Sequence, residues 1–161
     1  MKNENLFKIL QNRILVLDGA MGSLIQQQNL TEEDFRGNIL KDHFIDLKGN
    51  NDILSLTQPE VIKSIHKQYL DAGSDIIETN TFNSTSISQS EYKTENLVYE
   101  LNRVSALLAK ETAKEYTLLN PEKPRFVAGS LGPTSKSLSI SPDVNDPGYR
   151  SVVFDQVAKS Y

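Results

Sequence analysis

Residues Thr57–Thr81 read TQPEVIKSIHKQYLDAGSDIIETNT, and the order of signals in this stretch decides the fold class. Thr57-Gln58-Pro59-Glu60 matches a Ser/Thr-x-x-Glu capping box, with proline tolerated in a first helical turn because its missing donor has no partner there anyway. Val61, Ile62, Ile65, Tyr69 and Ala72 then recur at helical spacing, and Gly73 supplies the stop. Asp75-Ile76-Ile77 follows as a short apolar strand within Ser74–Phe82, closed by the polar group Glu78-Thr79-Asn80-Thr81. A helix that runs through a glycine into a buried strand is half of a βαβ unit.

The flanking segments extend the pattern. Upstream, Ile14-Leu15-Val16-Leu17 is an apolar run that predicts a buried strand, ended by Asp18-Gly19-Ala20-Met21-Gly22. Thr31-Glu32-Glu33-Asp34 offers a helix start, and Lys48-Gly49-Asn50-Asn51 a turn. Downstream, Leu97, Leu101, Val104 and Leu108 form one helical stripe, supported by Ala106, Ala109 and Ala113 and broken at Asn120-Pro121. Arg125–Leu131 reads as a third strand, ending in Gly132-Pro133-Thr134. Strands with apolar bodies, separated by helices, predict a parallel α/β sheet buried on both faces. At the end of the chain Val153, Val157 and Tyr161 have helical spacing without a stop signal. They read as a helix cut off after it has begun.

Composition narrows the function classes. The 161 residues carry 17 Lys+Arg against 21 Asp+Glu, a formal charge of −4, so nothing draws the chain generally to phosphate backbones or anionic lipid. No nucleic-acid or membrane partner is expected. The early apolar run is far too short for a signal segment or a membrane span, which leaves a cytoplasmic chain as the expectation. There is no cysteine, and the only histidines are His43 and His66. Cys-based zinc sites, disulfides and thiol catalysis are therefore excluded for this stretch.

All three expected strands end in polar or glycine residues: Asp18, then Asn80 and Thr81, then Gly132 and Thr134. In parallel α/β folds, ligands bind at the C-terminal ends of strands. Asp and Asn also cap ordinary turns, so position alone does not assign a role. Gly19-Ala20-Met21-Gly22 lacks the full phosphate-binding patterns. His66, between Ile62 and Leu70, is expected as a half-exposed structural residue, and Asp143 and Asp146 as parts of a proline-bounded turn.

Several separated motifs, in order, carry a resemblance. Leu17–Gly22 and Glu33-Asp34-Phe35-Arg36-Gly37 come first, then Leu47–Asp52 and Thr57–Glu60. Ala72–Asn83, Ala128–Thr134 and Leu138–Val144 follow. From about residue 13 onward the chain resembles the start of the homocysteine-binding domain of cobalamin-dependent methionine synthases, within the homocysteine S-methyltransferase family. The resemblance implies a (β/α)8 TIM barrel. Since such a barrel takes about 250 residues, residues 1–161 are expected to be the N-terminal βα units of one truncated domain.

It also implies an activity: methyl transfer from methylcobalamin, regenerated from 5-methyltetrahydrofolate, to a zinc-bound homocysteine thiolate, giving methionine. The catalytic zinc ligands are then three cysteines expected beyond Tyr161. The folate, cobalamin and reactivation modules of a parent chain are the implied partners. By resemblance, Asp18, Gly19, Ala20 and Met21 belong to the homocysteine pocket, with Asn80 and Thr81 beside them and Glu78 further off. The alternatives are a betaine- or S-methylmethionine-dependent homocysteine methyltransferase and a non-catalytic α/β domain that binds a small ligand.

Overall fold

The computed structural model describes residues 4–161. Helix α1 (Glu4–Leu10) precedes an extended segment over residues 14–18. Helices α2 (Met21–Gln27), α3 (Glu32–Arg36) and α4 (Leu54–Thr57) follow, the last entered through a 3-10 turn at Asn51–Ile53. Next come α5 (Pro59–Asp71), strand β1 (Ile76–Glu78), α6 (Ser86–Gln89), α7 (Val98–Leu119), strand β2 (Phe126–Ala128) and α8 (Phe154–Ser160). β1 and β2 pair in parallel with Ile76 opposite Phe126, Ile77 opposite Val127 and Glu78 opposite Ala128. The result is a small parallel sheet covered by helices. Among the described residues no helix is long and apolar enough to cross a membrane.

The core lies on the helical side of the sheet. Ile25, Phe35, Leu47, Ile53, Leu54, Ile62, Ile65 and Leu101 form one buried cluster. Leu70, Ile77, Ala109 and Ala113 form a second, which seats β1 against α5 and α7. Each large aliphatic side chain buried in this way contributes about 1.5–3 kcal/mol. Helix α5 ends where expected: Gly73 adopts φ +108°, a conformation that side chains resist, and the Ser74 N–H closes back on the Tyr69 carbonyl at 3.0 Å.

The sheet is more open than the sequence suggests. The segment expected as a buried first strand makes only one bridge, Leu17 to Ile76, and Ile14 is 86% exposed. β2 is likewise not buried on both faces, for Val127 is exposed. The physical reason is that both outer edges lack a neighbouring strand. Polar contacts hold the first segment instead. Asp75, buried, accepts two bonds from the Arg13 guanidinium at 2.8 Å and one from the Val16 N–H at 2.9 Å. The Arg13 guanidinium keeps the Asp75 carboxyl below the usual carboxylate range.

Two local expectations are corrected. Thr57 caps no helix: its hydroxyl donates to the Ile53 carbonyl at the end of α4, and Gln58 stands at the N-cap of α5 without a side-chain cap. A functioning capping box occurs at Thr31 and Asp34, at the start of α3. His66 is fully buried, not half-exposed, and neither ring nitrogen has a hydrogen-bond partner. Its place on the same face as Ile62 and Ile65 turns it inward, and burial pushes its pKa down to about 4. The long helix buries Leu101, Ser105, Ala109, Thr112 and Ala113. The buried stripe on α7 is therefore partly polar, with Val104 and Leu108, and Leu97 at its N-cap, only half-buried.

Candidate functional site

A cleft of about 280 Å³ opens at the C-terminal ends of the strands, lined by Asp18–Gly22, Glu78–Phe82 and Ser130. It brings together Asp18, Gly19, Ala20, Met21, Asn80 and Thr81, the six residues singled out in the sequence, and Glu78 as a seventh. Asp143 and Asp146 lie elsewhere and do what turn residues do: their carboxylates accept the N–H groups of Asn145 and Gly148 at 2.8 and 3.0 Å.

Asp18 is tied to β1 twice. Its backbone N–H donates to the Ile76 carbonyl at 2.9 Å, and its Oδ2 accepts the Glu78 N–H at 3.0 Å. Its Oδ1 is buried and has no partner. Burial pushes the carboxyl up to about 6, opposed by the bond from the Glu78 N–H and reinforced by the Glu78 charge. The cleft thus holds two carboxylates, and no Lys or Arg lines it.

Asn80 and Thr81 are largely occupied by the fold. The Asn80 amide donates to the Asn51 carbonyl at 2.9 Å and to Ser55 Oγ at 3.1 Å, linking the tip of β1 to the start of α4. Thr81 completes a closed ring of bonds. The Ser130 N–H donates to Thr79 Oγ1 at 3.0 Å, and the Thr81 hydroxyl donates to the Ser130 carbonyl at 2.8 Å. The 2.6 Å contact between the two threonine hydroxyls must then run from Thr79 to Thr81, because the Thr81 proton is already used. The ring joins the tips of β1 and β2 and fixes the floor of the cleft.

The Asn50-Asn51-Asp52 motif has a structural role that its spacing did not reveal. Asn50 exchanges amide bonds with Gln89 at 2.8 and 3.1 Å. Asp52, buried, accepts the Asn83 N–H at 2.7 Å and the Ser84 hydroxyl at 2.8 Å, and burial raises its carboxyl to about 6. Through these bonds and the Asn51 carbonyl, the motif latches the loop after β1 that forms one wall of the cleft. Phe82 and Ser130 also line the cleft and were not singled out in the sequence. The Gly-Pro-Thr signal after β2 marked the first of them indirectly, because a Cβ on Gly132 would lie 2.2 Å from the Phe82 carbonyl oxygen.

The donor set does not suit zinc. The cleft offers carboxylates, hydroxyls and an amide, with no thiolate or imidazole. Among the described residues no group of three His, Cys, Asp or Glu side chains could hold a metal ion.

Two solved structures of the homocysteine methyltransferase MmuM from Escherichia coli share the fold. The metallated form has a TM-score of 0.59 at 23% identity, over 78% of this chain and 40% of that one. The oxidized form has a TM-score of 0.63 at 25% identity, over 81% of this chain and 41% of that one. The chain therefore spans about two fifths of their length. The homocysteine S-methyltransferase family model matches residues 15–161, nearly the whole chain, and the chain belongs to that family.

Proposed function

We propose that the cleft cradles the amino-acid end of homocysteine in a methyltransferase that converts it to methionine, with methylcobalamin as the methyl donor. The observation that carries this is the buried, unpartnered Oδ1 of Asp18 in a cleft with a second carboxylate, Glu78, and no lining cation. Such a site favours a ligand that brings a positive charge, and an α-ammonium group supplies one. A volume of about 280 Å³ suits one amino acid. In this arrangement Asp18 holds the ammonium, while the Gly19–Met21 backbone and the floor built by Thr79, Thr81 and Ser130 set its orientation.

The methyl-donor assignment rests on the resemblance of Leu47–Asp52 and Leu138–Val144 to the cobalamin-dependent branch. The zinc ligands are assigned to later strand tips of a (β/α)8 barrel, outside residues 1–161, and folate and cobalamin to separate modules of a parent chain. For this chain's own residues the chemistry is binding and positioning. Asp18 must be ionised to hold an ammonium, and its carboxyl lies at about 6 without ligand. Affinity is thus full above that value and falls as the pH drops through it.

The test is Asp18→Asn in the full polypeptide, which keeps the size and removes the charge. Losing a charge-assisted bond of about 1.5–3 kcal/mol raises the homocysteine KM about ten- to a hundredfold, with kcat largely kept. Unchanged KM and kcat would reduce Asp18 to a turn residue and refute the proposal.

A further inference from the structure

The first turn of the cleft has a support that lies outside it. Tyr69, in the last turn of α5, reaches under Gly19 and Ala20 from the helical side and does not line the cleft. Its hydroxyl donates to the Ala20 carbonyl at 3.2 Å. Its ring fills the space beside Gly19, where a Cβ would lie 3.1 Å from the phenolic oxygen and 3.2 Å from Cε1. The phenol is also close enough to Asp18 that the carboxylate charge, after burial, helps to raise the Tyr69 pKa.

Among the described residues no other side-chain hydrogen bond reaches Gly19 or Ala20. Ala20 occupies the N-cap of α2 without a side-chain cap, and both Gly19 and Ala20 are exposed. Asp18 is held to β1 by two bonds, while Tyr69 packs beside Gly19 and bonds to Ala20. Glycine at position 19 follows from the same contact: the ring approaches too closely for an added methyl group without displacement of the ring or the turn.

We infer that Tyr69 is a positioning residue for the homocysteine cleft, holding the Asp18–Ala20 turn in its ligand-binding shape through the bond to Ala20 and the packing against Gly19. The inference rests on the proposed function for what the cleft binds, but not for what holds the turn. Tyr69 touches no ligand in this account, so its effect falls on binding and not on the chemical step.

The experiment compares Tyr69→Phe and Gly19→Ala with the unaltered full polypeptide by two readouts. Tyr69→Phe keeps the ring, so the helix packing survives and only the bond to Ala20 is lost. The first readout is amide hydrogen exchange without substrate in residues 24–27, the first amides of α2 to bond back to the turn that begins at the Ala20 carbonyl; it accelerates about three- to tenfold in Tyr69→Phe, as expected for loss of one neutral hydrogen bond. The second is steady-state kinetics, in which both variants raise the homocysteine KM by a similar factor and leave kcat within about twofold. Unchanged exchange in residues 24–27, or exchange that accelerates across all of α5, overturns the inference. So does a KM that stays fixed, or a kcat that falls in step with kcat/KM. If the unaltered polypeptide does not turn over homocysteine, the functional proposal fails. Tyr69 is then judged by local exchange alone, where acceleration confined to residues 24–27 upholds it as the support of the turn.

Discussion

Replacing Asp18 with Asn is expected to make the ligand-free protein more stable relative to the parent as pH rises, while weakening the site. The charged carboxylate is disfavoured in the fold, since burial moves its pKa from 3.8 to about 6. A group whose folded pKa is raised contributes its full stability below the unfolded value and loses it as pH rises through the folded value. The gap caps the cost of holding Asp18 charged near neutrality at about 3 kcal/mol. Because the residue is half-buried, solvent screening reduces this to about 1–1.5 kcal/mol. Asn keeps an oxygen for the Glu78 N–H, and any fixed loss from a weaker bond cancels when parent and variant are compared at two pH values. Urea unfolding of both proteins at pH 4.5 and 7.5, without substrate, reads the effect. The stability of the variant minus that of the parent should rise by about 1 kcal/mol between the two conditions. A difference that is independent of pH, or that falls, would refute the assignment of a buried, unpaired charge to Asp18.

Three further outcomes follow from other parts of the structure. His66 is buried without partners and its pKa lies at about 4, so its neutral form contributes stability that is complete above about 6.5 and lost as pH falls toward 4. His66→Leu should remove up to about 2.5 kcal/mol of acid sensitivity in urea unfolding between pH 7 and 4.5, and an unchanged acid slope would count against it. Gly132→Ala forces a Cβ against the Phe82 carbonyl and ring, and should cost about 1–3 kcal/mol and lower the Tm. An unaltered Tm would mean that the Phe82 loop yields freely. The 161-residue chain expressed alone should bind hydrophobic dyes and aggregate, because Ile14 and Leu131 are exposed at 86% and 78% and both sheet edges are open. A monodisperse monomer with one sharp unfolding transition would contradict this.

The parts of the fold that were legible in the sequence are those fixed by local signals. Gly73 closing α5, the apolar Ile76-Ile77 pair and the stop of α7 before Pro121 each follow from backbone conformation or periodicity. What the sequence misplaced depends on neighbours far along the chain. Ile14–Leu17 has the composition of a buried strand, but burial needs facing strands, and this sheet supplies a neighbour on one side only. Thr57 carries the letters of a capping box, yet its hydroxyl finds the Ile53 carbonyl of the preceding turn first. His66 looked half-exposed because histidine usually is, while its spacing from Ile62 already placed it on the buried face. At the site, Asp18 was legible from its position after an apolar run. The engagement of Asn80 with Ser55 and of Thr81 with Ser130 was not, since those partners are 25 and 49 residues away.

The proposed methyl acceptor for an enzyme built around this cleft is homocysteine. The most direct test is methionine formation by the full polypeptide, measured with homocysteine and, in separate reactions, methylcobalamin, betaine or S-methylmethionine. Methionine is expected with methylcobalamin, saturating in homocysteine, with a far weaker response when the acceptor thiol lacks an amino group for Asp18. Methionine formed only from betaine or S-methylmethionine would overturn the donor assignment. No methionine from any donor, or equal turnover of the thiol without an amino group, would contradict the claim itself.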